Sequence, residues 1–145
     1  MNPQVMAQCD RIVAIPNLMD EIGRRLVAYR AEKRKVEHQL EGLEASIRIA
    51  TIGKDEYNAL KNKEDRDAYY RMALDASESW TAKRDRLDQL LTVIDKDSQA
   101  RDVLDHERKA LKAALERVYA EIIQAALSDK TLADAMRTFN GRVAA

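Results

Sequence analysis

Aromatic residues make up only 5% of the chain, and it holds four glycines, two prolines and one cysteine. Runs of β-branched and aromatic residues bounded by turn residues are missing, which excludes a sheet. The lone thiol, Cys9, has no partner in the chain, so an internal disulfide is excluded and a reducing compartment is favoured. Net charge is lacking too: 25 basic and 25 acidic side chains cancel, so any nucleic-acid site must be a local patch and not a global field. No stretch approaches the roughly 20 apolar residues of a membrane span. The N-terminal stretch carries Asp10 and Arg11 and reads as no leader peptide. The expectation is a cytoplasmic protein with no membrane contact.

What remains is 34% charged and 46% hydrophobic residues. That mixture suits long helices sharing a narrow apolar seam. Asn2 and Pro3 read as an N-cap and first helical residue. Ile12, Ile15, Met19, Ile22, Leu26, Tyr29, Lys33, Val36, Leu40, Leu43, Ile47 and Ala50 then alternate by three and four, a heptad seam with only Lys33 charged. The register passes through Pro16 unchanged, which predicts a kink and not a break. Gly53 lies where a left-handed C-cap is often needed.

Between 64 and 128 there is no Gly or Pro, and a second seam runs from Tyr69 through Trp80, Leu87, Leu90 and Ile94. It turns polar at Asp97 and Arg101 and resumes through Leu104, Leu111, Leu115, Val118, Ile122 and Ala125. One helix of about 65 residues would be about 98 Å long. Asp97, Arg101, Asp105 and Lys109 form a charge ladder that supports it across the polar stretch, with a break near Ser98 as the alternative. The predicted organisation is therefore a single all-α domain over 1–145. It has a kinked helix over 1–50, a connection over 51–63, a long helix over 64–128 and a short helix over 129–141. In it the long helices fold back antiparallel as a coiled-coil hairpin. Placing Ala50 beside Arg66 brings Ile22 beside Ile94 and Pro16 near the polar gap. Leu104, Leu111, Leu115, Val118 and Ile122 then lack a partner of equal length, which predicts a homo-oligomer.

No site for chemistry stands out. His38 and His106 each sit beside a glutamate without a second histidine at zinc-protease spacing. The glycines are too scattered for a phosphate loop, and no carboxylate pair falls in a plausible pocket. The expectation is no catalytic residue, no metal and no cofactor. Charge clustering is the feature that rises above background. Between 24 and 35, Arg24, Arg25, Arg30, Lys33, Arg34 and Lys35 face one acid, Glu32. Lys61, Lys63 and Arg66 add charge further on, and Tyr29, Tyr57, Tyr69 and Tyr70 lie among the two groups. Cations neutralise phosphates while aromatic rings stack on bases, the working pair of sequence-tolerant single-strand binders. The bland alternative is that these charges are the solvated outer positions of a coiled coil, with the protein acting as a structural or adaptor component of phage assembly. The acidic run Asp95, Asp97, Asp102, Asp105 and Glu107 raises a further alternative, a decoy inhibitor of a host nuclease or defence complex.

The segment KNKEDRDAYYRMAL, through Asn62, Glu64, Arg66 and Ala68, resembles a helix start in small helical phage proteins associated with recombination genes. Size and helix order are similar to the UvsY recombination-mediator family of T-even phages. That resemblance implies an oligomeric accessory protein that binds single-stranded DNA and helps load a recombinase where a single-strand binding protein sits. The nine basic residues named as DNA contacts follow from charge clustering alone.

Overall fold

The computed structural model describes residues 2–129 together with 134, 135, 137, 138 and 141. These residues are helical or in short turns, with no strand among them. Helix α1 is Pro3–Ile52, α2 is Asp55–Asn58, α3 is Lys63–Asp75 and α4 is Glu78–Ser128. The helix expected over 129–141 lies mostly outside the described residues. The chain divides into two compact units, Glu21–Arg101 and a second made of Met1–Asp20 with Asp102–Ala145.

Each helix start has a local cause. The Asn2 side chain accepts a hydrogen bond from Gln4 N at 2.9 Å, capping α1. Asn62 does the same for α3, accepting from Glu64 N at 3.0 Å. Pro16 lies inside α1, which continues through it. Helix α1 runs on to Ile52, two residues past its expected end, and the short α2 at Asp55–Asn58 lies within the expected connection, close to a helical turn anticipated around Glu56 to Leu60. Gly53 has no positive φ, contrary to the left-handed cap expected there. Its N–H instead bonds Ile49 O at 3.3 Å, an ordinary continuation of the helix.

The single helix expected over 64–128 is also corrected. It is two helices, interrupted at Ala76 and Ser77, and it runs unbroken through Ser98. Neither Gly nor Pro makes the break. The Ser77 hydroxyl accepts from Trp80 N at 3.3 Å, starting α4 with a serine cap and Glu78 in its first turn.

In the Glu21–Arg101 unit, α1 and α4 pack along the predicted seams. Val36, Leu40, Leu87 and Leu90 form the buried centre, with Tyr29 and Trp80 against it. Ile22 and Leu26 extend the buried row of α1. Polar contacts pair the helices in opposite order: Arg25 with Asp97, Glu32 with Arg86, Glu44 with Trp80. The register built from Ala50 beside Arg66 would have put Leu91, Arg84 and Met72 at those places. The observed partners lie six, two and eight residues further along the chain, so the register of α4 against α1 is displaced from the one built on an uninterrupted helix.

The polar gap in the second seam is filled, not empty. Asp97 is buried on the seam and accepts from Arg25 Nε at 3.1 Å. It therefore serves the packing between helices and not the expected i,i+4 ladder with Arg101. Of that ladder, the rung from Lys109 to Asp105 at 2.8 Å is formed, joined by Arg108 at 2.9 Å.

In the second unit Ile15 is fully buried, and Arg11 grips Glu107 with two bonds of 2.6 and 2.9 Å. The hydrogen bond from Lys109, reinforced by Arg108, holds the Asp105 carboxyl at about 2, below its ordinary 3.8. Arg11 lowers Glu107 in the same way, chiefly through its hydrogen bonds. Because both folded values are depressed, their stabilisation is complete above the unfolded values. It is lost as pH falls from there through the folded ones. A carboxyl NMR titration should find Asp105 ionising near 2. Lys109→Ala should move that transition up, and one near the ordinary value in both proteins would contradict the ion pair.

Candidate nucleic-acid interface

The nine basic residues do not form one patch. At roughly 100° of turn per residue, Arg24, Arg34 and Lys35 fall on the half of α1 turned away from its seam, and Arg30 falls on the flank. All four are exposed, and no ion pair engages them among the described residues. Arg25 and Lys33 fall on the seam side. Arg25 is tied to Asp97, and Lys33 to Glu37 at 3.6 Å. The one acid of the cluster, Glu32, is held by Arg86 of α4 through bonds of 2.7 and 2.9 Å. That pair lowers the Glu32 carboxyl below its usual range, chiefly through the Arg86 hydrogen bond. The only acid in the cluster is thus already neutralised by a cation from another helix, and the outer face of α1 stays positive.

Arg24 and Arg25 are neighbours in sequence with different jobs. Arg24→Ala should leave the urea midpoint unchanged and weaken binding of a polyanion. Arg25→Ala should lower the midpoint, since it leaves buried Asp97 without its cation. Equal midpoints for the two variants would contradict this division.

The second basic group lies where α1, α2 and α3 meet, and there the structure gathers the aromatic residues. The Arg48 guanidinium lies 4.8 Å from the centroid of the Tyr70 ring, and Arg66 lies 5.8 Å from that of Tyr57. Tyr57 and Tyr69 are 6.0 Å apart and inclined at 57°. These contacts are cation–π and edge-inclined aromatic geometries, and they hold the rings in fixed orientations. Hydrogen bonds fix them further: Tyr69 donates to Glu56 at 3.1 Å and Tyr70 to Glu44 O at 3.1 Å. Arg66 also donates Nε to Leu60 O at 2.8 Å, so it pins the connection as well as offering charge. Lys54, Lys61 and Lys63 are exposed around this group. From 48 to 71 there are six basic and five acidic side chains, so stacking and not net charge distinguishes this end. Arg48 was not among the expected contacts, because it stands alone among apolar residues near the end of the first seam.

The expected oligomerisation residues are partly covered within their own unit. Leu104, Leu111, Leu115 and Val118 are half-buried, while Ile122 is 60% exposed. Val5 of α1 shares a groove with Val118 and Ile122, so the seam has a partner in this chain. A different side of α4 is left open, with Tyr119 at 67%, Ile123 at 41% and Leu127 at 59% exposure. Sequence reading passed over these three because they sit beside the heptad register and not on it.

Among the described residues no three metal-ligating side chains come together, and no helix is long and apolar enough to cross a membrane. His106 bonds its own helix, with Nδ1 2.7 Å from Asp102 O. No protein-family model, curated protein or solved structure matches the chain.

Proposed function

We propose that the protein is a non-enzymatic binding protein that holds single-stranded DNA on its Glu21–Arg101 unit. Its role would be that of a recombination or replication accessory factor. The observation that carries this reading is the fixed group of Tyr57, Tyr69, Tyr70, Arg48 and Arg66. Rings and guanidinium planes of this kind stack on unpaired bases of any sequence. The unpaired row Arg24, Arg30, Arg34 and Lys35 supplies cations for the phosphates in the same unit. The likeness to recombination mediators agrees with both, and a recombinase or single-strand binding protein is the protein partner it implies. Anisotropy of a fluorescent single strand, measured at about 50 and about 200 mM salt, tests the reading. Binding should weaken steeply between the two. No binding at the lower salt would end this reading.

A second reading is favoured by a separate observation, the open apolar side of α4 at Tyr119, Ile123 and Leu127. Exposed apolar residues grouped in this way mark an interaction surface. On this reading the protein is a structural or adaptor component, and its helices with their homo-oligomer contacts are the whole function. Both readings coexist if assembly through α4 repeats the DNA surface, since repeated modest sites gain avidity.

A further inference from the structure

We propose that the hollow bordered by Arg48, Thr51, Ile52, Tyr57, Asp67 and Tyr70 takes one unpaired base of the bound strand and prefers guanine. The inference rests on the single-strand reading and adds a specificity that stacking alone does not provide. Three elements build the hollow: the last turn of α1, the short helix α2 and the face of α3 that carries both Asp67 and Tyr70. It measures about 100 Å³, more than the ~30 Å³ share of a single water.

Its lining sorts into engaged and free polar groups. Thr51 is 2% exposed and its hydroxyl donates to Ile47 O at 2.7 Å, so it forms an inert wall. The Tyr70 hydroxyl is engaged by Glu44 O. Asp67, by contrast, has no hydrogen bond or ion pair among the described residues, and Arg48 meets only the face of Tyr70. The hollow therefore offers an acceptor-only carboxylate, a guanidinium lying over the Tyr70 ring, and the ring of Tyr57.

That set matches one base edge best. An ionised carboxylate accepts through two oxygens and donates nothing. Guanine carries two adjacent donors, the ring N1–H and the exocyclic amine, which pair with both oxygens of Asp67 at once. Thymine has one N–H flanked by carbonyls, which a carboxylate repels. Adenine and cytosine each offer an amine beside a ring nitrogen that only accepts. Tyr57 supplies the stacking face, and the Arg48 guanidinium on the same hollow supplies a cation for the adjoining phosphate.

The test compares two labelled strands of equal length, oligothymidine and the same strand with isolated guanines, against the full chain and its Asp67→Asn variant. Wild type should bind the guanine-bearing strand about tenfold more tightly, the scale of a good bidentate base contact. Asp67→Asn should bind oligothymidine as well as wild type or better, since a repelling charge is gone, and should lose the preference. Equal wild-type affinities, or a preference that survives in the variant, overturn the inference while leaving the single-strand reading standing. If neither strand binds, the single-strand reading itself falls and this one with it.

Discussion

Replacing Arg24, Arg30, Arg34 and Lys35 together by glutamate is expected to abolish single-strand binding at about 200 mM salt without changing helix content. Each phosphate contact contributes roughly −0.7 to the slope of log affinity against log salt for a single strand. Losing four contacts should therefore make the slope shallower by about 3, and charge reversal adds repulsion to that loss. All four side chains are exposed, and none belongs to the buried seam of Ile22, Leu26, Val36 and Leu40. Circular dichroism should accordingly match wild type. Arg25 is left out on purpose: a glutamate there would face Asp97 and confuse unfolding with loss of binding. An unchanged salt slope in the fourfold variant would remove these four residues from the DNA surface.

The second large effect concerns the seam. Leu90 is fully buried in the cluster with Val36, Leu40 and Leu87. Leu90→Ala should destabilise the fold by about 2–5 kcal/mol, the cost of lost burial plus the cavity left behind. Against a typical total of about 5–15 kcal/mol this is a large share, and the contact between two helices has few layers to compensate. Leu91, its neighbour, is 44% exposed, and Leu91→Ala should stay within about 0.5 kcal/mol of wild type. Urea melts should show the midpoint falling for the first variant and holding for the second, at constant slope. Similar losses from both would mean that the outer side of α4 is also covered, as it would be in an assembly.

The contrast between Leu90 and Leu91 also shows how far the sequence could be read. Heptad spacing identifies Ile22, Leu26, Val36, Leu40, Leu87 and Leu90 because burial along a helix pair repeats with a fixed period. The same period passed Asp97 as a gap, since spacing carries no information about a cation reaching across from Arg25. The break at Ser77 was hidden for a related reason. Serine caps a helix by one hydrogen bond to a backbone N–H, and it leaves no composition signal comparable to Gly or Pro. At the interface, the sequence supplied the residues and the structure supplied their company. Arg24 and Arg25 look alike in the chain, but they are separated by the turn of the helix into a solvent cation and a packed one. Tyr57, Tyr69 and Tyr70 were legible as neighbours of positive charge. Their engagement with Arg48 and Arg66 depends on α2 and α3 folding beside the end of α1.

The claim that this surface of the Glu21–Arg101 unit holds the strand is tested most directly by ultraviolet crosslinking of bound single-stranded DNA, with mass-spectrometric mapping of the attached residues. The account predicts adducts on Tyr57, Tyr69 or Tyr70, with fewer after Arg48→Ala or Arg66→Ala. Adducts confined to α4 beyond Asp102, with none on these tyrosines, would contradict it.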